Sequence, residues 1–239
     1  MNRPATLPQP WVGTITLAPM AAVFVGTGGD TAEHRHLAHK IVVGATAVEG
    51  NRGFRRVHGP IAIPAGAPHR VLASERKVVL AYLDARRFRW AEAARLAERW
   101  KRLASRAESI DSLLEDLESI PARGLDARAL DAIEAMAHGE TLADVSRRLA
   151  LSESRVTHLV TGELGAPPRA WRRWLRLRNA IDFLAEGRTV TDAAHAAGFA
   201  DSSHFSRTCS ASLGVAPSVL RSSRIDRAQV VGECTPRWR

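Results

Sequence analysis

A chain of 239 residues with 45% hydrophobic content is long enough to bury a core and to divide into two modest domains, which excludes a wholly disordered protein. Its 34 Lys and Arg against 25 Asp and Glu leave a formal charge of +9, favouring a polyanionic partner, either nucleic acid or an anionic membrane surface. Two cysteines, Cys209 and Cys234, are too few for a disulfide framework and fit a reducing, cytoplasmic setting.

Residues 1–10 are expected to be disordered. The apolar run from Trp11 to Val25 is broken by Gly13, Thr14, Thr16 and Pro19 and has no basic leader. It reads as neither a signal peptide nor a membrane span, and no membrane partner is expected. From Trp11 to Asp84, short segments rich in Val and Ile alternate with Gly, Pro or charged turns, with no helical stretch between them. That spacing predicts a small antiparallel β-barrel or jelly roll over residues 11–90.

At Ala91 the composition changes to Ala, Leu, Glu and Arg, without Gly or Pro as far as Ile120. Ala93, Leu96, Trp100, Leu103, Ala107, Ile110, Leu114 and Leu117 recur at spacings of three and four, forming one apolar seam. Residues 91–120 are therefore a helical linker, either a dimerisation seam that makes a homodimer or a pair of helices packed antiparallel on the barrel. Ser105 and Glu108 have the form of a capping box for a second helix. Pro121 to Gly124 is the domain boundary.

Residues 122–224 read as an all-helical domain. A first helix after Asp126 turns Leu130, Ile133, Met136 and Ala137 inward and stops at Gly139. Thr141 to Pro168 then repeats the pattern of Thr189 to Pro217: Asp144 falls against Asp192, Val145 against Ala193, Ser152 against Asp201, Val156 against Phe205, and Gly165 against Gly214. Each copy has an apolar-periodic segment, a turn, a capped second segment and Gly and Pro stops, which is the grammar of a helix-turn-helix. A long amphipathic segment from Arg169 to Glu186 joins them, with Arg178 expected to pair with Asp182 one turn on. Residues 225–239 lose periodicity and are expected to be a disordered tail. The fold class is thus α+β and multidomain: a β-barrel, a helical linker, and an all-α domain with two helix-turn-helix units.

Two resemblances sharpen this reading. His34-Arg35-His36, followed by Gly59 to His69 with the core G-x4-P-x-G-x2-H, resembles the paired motifs of the cupin barrel, although Lys40 and Ile41 stand where cupin enzymes carry an acidic residue and Ala73 where they carry Asn. Three imidazoles are enough for an open zinc or iron site. The preferred reading makes His34, His36 and His69 part of a small-molecule effector pocket without metal or other cofactor, with His39 and His58 as weaker candidates. In the second half, Arg176 to Ala180 followed by Leu184, the run Gly198-Phe199 with Asp201, Ser203, His204, Phe205, Ser206 and Arg207, and Gly214, Pro217 and Arg221 resemble the AraC/XylS family of transcriptional regulators. Cys209 and Leu220 stand where that family usually has Phe and Tyr.

The resemblance implies a sequence-specific DNA-binding regulator, not an enzyme, with double-stranded operator DNA and RNA polymerase as partners. Its two recognition helices would enter successive major grooves about one turn apart. Ser154, Thr157 and His158 in the first unit, and Ser203, Ser206 and Arg207 in the second, are the candidate base readers. Arg207 leads, because a guanidinium pairs bidentately with guanine. Arg155, Arg172, Arg173, Arg176 and His204 are candidate phosphate contacts, which give affinity and register without sequence information. The alternative function is a cupin-type metalloenzyme carrying a helical appendage.

Overall fold

The computed structural model describes residues 10–50, 53–58, 60–103 and 110–227. The expected disorder of residues 1–9, the Ser105 and Glu108 capping box, Ala107, Gly59 and Cys234 lie outside them.

The N-terminal region comprises β1 (Val12–Ala18), β2 (Ala21–Gly28), β3 (Ala38–Gly50), β4 (Gly53–His58), β5 (Ile61–Ile63), β6 (His69–Val71) and β7 (Ser74–Asp84). Antiparallel pairing runs in the order β4-β3-β7-β2-β1. The long strand β3 pairs β7 and β5 through its first half and β4 and β6 through its second. The changeover falls at Gly44, whose φ of 121° bends the strand. This sheet bends around an interior but does not close, so the expected barrel is replaced by an open sheet.

Strand alternation gives the sheet two buried faces. Val23, Ile41, Val43, Ala81 and Leu83 point to one side, where α1 (Trp90–Leu103) and α2 (Ile110–Glu118) cover them with Ala93, Leu96, Ala97, Trp100, Leu113 and Leu117. Ala93, Leu96, Trp100 and Leu117 of the linker seam are thus buried within the chain, and Ile110 and Leu114 are half-buried. Of the two readings of the linker, this packing matches the pair of helices on the sheet. Trp100 Nε1 donates to Asp116 Oδ2 over 3.0 Å and ties the two helices together. Phe24, Val42, Val78 and Leu80 point to the other side, into the sheet's interior.

The helical domain follows as α3 (Ala127–Ala137), α4 (Leu142–Arg148), α5 (Glu153–Leu164), α6 (Pro168–Ala185), α7 (Val190–Ala196), α8 (Ser202–Leu213) and α9 (Pro217–Ser222). Its core gathers Ile133, Val145, Val156, Val160, Trp171, Leu177, Phe199, Phe205 and Cys209, and extends without a break onto Ala38 and Ala85 of the N-terminal region. The expected disordered tail is also corrected at its start. Arg224–Arg227 form β8, which pairs parallel with β1, Ile225 opposite Ile15. The chain therefore returns from the helical domain to the first strand it made.

Candidate functional site

The two helix-turn-helix units are built by the same local chemistry. Thr141 and Thr189 cap α4 and α7, each accepting from the backbone N–H of an Asp three residues on, Asp144 and Asp192. Ser152 and Asp201 cap α5 and α8, accepting from Arg155 N and His204 N. Both second helices end on a left-handed glycine, Gly165 and Gly214, each with φ of 73°. The turn inside the first unit places Ala150 at φ 51° where the second unit has Gly198 at φ 79°.

Burial sorts the candidate readers. On α5, Val156, Val160 and Leu164 face the core, leaving Ser154, Arg155 and His158 exposed and Thr157 half-buried. On α8, Phe205, Thr208, Cys209 and Leu213 face inward, and Ser203, His204 and Arg207 are exposed. Ser206 is half-buried, its hydroxyl donating to the Ser202 carbonyl over 2.8 Å, so it approaches a base chiefly as an acceptor. The His204 ring meets Phe199 edge-on, with centroids 5.3 Å apart, which restricts its reach. No hydrogen bond or ion pair holds Arg207 among the described residues.

Two arginines of α6 have partners within the chain. Arg176 donates from Nε to the Ala137 carbonyl over 3.2 Å and from Nη1 to the Gly198 carbonyl over 2.8 Å. It stitches α3 to the turn between α7 and α8, with two of its five N–H donors held within the chain. Arg178 pairs with Asp84 at 2.8 Å rather than with Asp182. Asp84 also receives Arg86, and both its side chain and that of Arg86 are buried. Burial pushes the Asp84 carboxyl up, but Arg86 and Arg178 outweigh it and hold the group below its ordinary value. Arg173 is exposed and Arg172 half-buried.

The N-terminal region brings together a second set of residues. His34, His36 and His69 are all buried, with ligand-capable atoms within 4.8 Å of one another. His34 and His69 face each other across an antiparallel bridge, backbone N–H to carbonyl at 2.9 Å in both directions. Each ring directs Nδ1 at a backbone carbonyl: His34 at Ala32 (2.8 Å), His36 at Ala38 (2.8 Å), His69 at Ala67 (2.9 Å). A carbonyl only accepts, so each Nδ1 carries the proton and each Nε2 an open lone pair. All three Nε2 atoms are buried without a hydrogen-bond partner, and so is Lys40 Nζ. Burial first, and the Lys40 charge second, hold His34 down at about 3; burial and Lys40 hold His69 at about 4. Burial lowers Lys40 to about 7. His39 lies apart: its Nδ1 accepts from Ala65 N over 3.1 Å and its ring packs on Trp90.

The interior also holds an apolar cavity of about 130 Å³ between the sheet and the helical domain. Ile15, Leu17, Phe24 and Leu80 form its sheet wall, Trp174, Ile181 and Leu220 its helical wall, and Asp84, Arg178 and Asp182 a polar end. None of the three histidines lines it. His36 reaches it indirectly, its ring centroid 5.0 Å from Tyr82 and 5.8 Å from Trp174, which do line it. Sequence reading missed the cavity, since its walls come from both ends of the chain.

Comparison with known proteins places the helical domain. Residues 127–223 match the model of a family described as a helix-turn-helix domain. Over 81 residues the chain is 32% identical to the regulatory protein ada of Salmonella typhimurium, which covers 34% of this chain and 23% of that one. The chain thus spans about a quarter of the length of that relative. In fold it is similar to an apo ToxT variant from Vibrio cholerae strain SCE256, with a TM-score of 0.52 and 14% identity over 84% of this chain and 96% of that one. It is equally similar to ToxT from Vibrio cholerae O395 bound to (E)-4-(8-methylnaphthalen-1-yl)but-3-enoic acid, with a TM-score of 0.52 and 13% identity over 84% and 100%. Those two likenesses extend across both the sheet and the helical domain.

Proposed function

We propose that the chain, through the helix-turn-helix domain at residues 127–223, is a transcriptional regulator of the AraC/XylS type that reads an operator with α5 and α8 in successive major grooves of one DNA face. The observation that carries this is the matched construction of the two units, whose exposed positions hold Ser154, Arg155, His158, Ser203 and Arg207 while Val156, Val160 and Leu164, and Phe205, Cys209 and Leu213, are buried. Arg207 reads guanine, Ser154, Thr157, His158, Ser203 and Ser206 add shorter contacts, and Arg155, Arg172, Arg173 and His204 hold phosphates.

Control comes from a small molecule in the cavity between the sheet and α6. An apolar body fits against Ile15, Leu17, Phe24 and Leu220, and a polar head fits beside Arg178 and Asp182. ToxT bound to an aryl-substituted butenoic acid, a molecule of that build, supports this choice of ligand class. Because α6 forms one wall and also joins the two reading units, a ligand that moves Trp174 or Ile181 alters their separation. RNA polymerase is the partner through which such a regulator acts.

Binding-site selection from random DNA tests the reading. The full chain is expected to enrich one consensus with two half-sites about ten base pairs apart. Enrichment of no consensus, with equal affinity for all sequences at physiological salt, would leave only charge-driven binding.

A further inference from the structure

Size and charge together narrow what the cavity between the sheet and the helical domain can hold. Its volume of about 130 Å³ is comparable to the ~150 Å³ of engineered apolar cavities that take up benzene, so it suits one ring with a short chain rather than a long acyl tail. Four aromatic side chains, Trp11, Phe24, Tyr82 and Trp174, line it. Trp11 already meets Phe24 edge-on, with centroids 5.3 Å apart, and an aromatic guest continues that arrangement.

The polar end carries more negative than positive charge. Arg178 donates to Asp84 over 2.8 Å, and Arg86 pairs with Asp84 at 3.0 Å and with Glu134 at 3.5 Å. Two guanidiniums therefore serve three carboxylates once Asp182 is counted, and Asp182 is the one left over. Among the described residues no hydrogen bond or ion pair reaches its side chain: Arg227 beside it donates instead to the Asp182 backbone carbonyl and to Glu186. Burial pushes the Asp182 carboxyl up, and the charges of Arg178 and Arg227 offset this only in part. Trp174, Arg178 and Asp182 follow one another at four-residue spacing on α6. Ring, guanidinium and unpaired carboxylate thus line the cavity as one stripe of that helix.

We propose that the cavity selects a compact aryl-alkyl amine, whose ring packs among Trp11, Phe24 and Trp174 and whose ammonium pairs with the Asp182 carboxylate. The assignment rests on the effector reading of this cavity and names its ligand. A carboxylate head of the same size would meet Asp182 and Asp84 as like charges, offset only by the Arg178 donors that Asp84 leaves free. An ammonium instead supplies the cation that Asp182 lacks. Because Asp182 stands on the helix that joins the two reading units, the pairing forms on the element through which the cavity reaches the DNA-reading domain.

The experiment titrates the full chain with three probes of matched size, 2-phenylethylamine, 2-phenylethanol and 3-phenylpropanoate, by calorimetry, and follows Tm alongside. The amine is expected to bind about 10-fold more tightly than the alcohol, the gain of one charge-assisted contact, and the acid more weakly than the alcohol. The rise in Tm at equal concentration is expected to follow the same order. Asp182→Asn is expected to lower the affinity for the amine about 10-fold, to the level of the alcohol. The ranking of the probes on the wild-type chain needs no variant and stands even if Asp182→Asn folds poorly. If the acid or the alcohol binds as tightly as the amine, or the amine keeps its advantage in Asp182→Asn, the amine assignment is overturned and the cavity stays an effector site. If none of the three binds saturably or raises Tm, the effector reading of the cavity falls, and the amine with it.

Discussion

Arg178, on the helix that joins the two reading units, donates from Nη1 to Asp84 Oδ2 over 2.8 Å, and Asp84 is the last residue of strand β7, with its side chain 2% exposed. This contact joins the domains at a buried charge. Arg178→Ala is expected to destabilise the chain by about 2 to 3 kcal/mol, because Asp84 keeps only Arg86 as a cationic partner. Denaturant unfolding checks this, with the loss appearing as a lower midpoint.

The same carboxyl sets a pH dependence. Its folded pKa lies below the ordinary carboxylate value, so its contribution is present above the unfolded pKa and is lost as pH falls through the folded one. Arg178→Ala removes one of the two charges that lower it. The acid unfolding midpoint is therefore expected to move to higher pH in the variant, as followed by circular dichroism.

Substitutions on the reading face are expected to separate into two behaviours. Arg207→Ala loses about 1 to 3 kcal/mol of discrimination at one base pair and relaxes the consensus there. Arg173→Ala weakens all sequences alike and lowers the salt slope by about one. Arg176→Ala, whose donors hold Ala137 and Gly198, is expected to lower Tm while leaving the salt slope unchanged. Binding-site selection, salt titration and thermal melting on the three variants distinguish these outcomes.

Ala150 occupies the left-handed region at φ 51°, where a Cβ costs about 1 to 2 kcal/mol. Ala150→Gly relieves that strain and gives back about 0.4 to 1 kcal/mol through the freer unfolded chain. A net gain of about 0.5 to 1 kcal/mol is expected, visible as a higher Tm. The reverse change in the second unit, Gly198→Ala, is expected to destabilise, since its φ of 79° is equally left-handed and a Cβ there meets the Arg176 guanidinium at 3.2 Å.

The reading units were legible because their signals are local. Thr141 with Asp144, Thr189 with Asp192, and Gly165 and Gly214 act within one turn of where they stand, so the sequence repeat maps directly onto structure. The misreadings concern partners far away in the chain. The i,i+4 spacing pointed Arg178 to Asp182, yet a buried carboxylate 94 residues earlier competes better than one on its own helix. The linker seam had the period of a coiled coil, which fixes that a face is apolar but not whether another chain or its own sheet covers it. The histidine cluster was found from motif spacing, while the cavity beside it escaped notice because its walls combine β1, β2, β7, α6 and α9.

Strand β8 has one more consequence. Without it, β1 would end the sheet with a row of unpaired N–H and carbonyl groups, a template on which a strand from another molecule can grow. Residues 224–227 occupy Thr14 to Leu17 of that template in parallel register, and they place Arg224, Asp226 and Arg227 on the new outermost strand. A four-residue strand rich in charge is a poor seed for further addition. The segment that follows the DNA-reading helices thus also guards the sheet against aggregation, and a chain cut before Arg224 is expected to keep its helical domain but to lose colloidal stability.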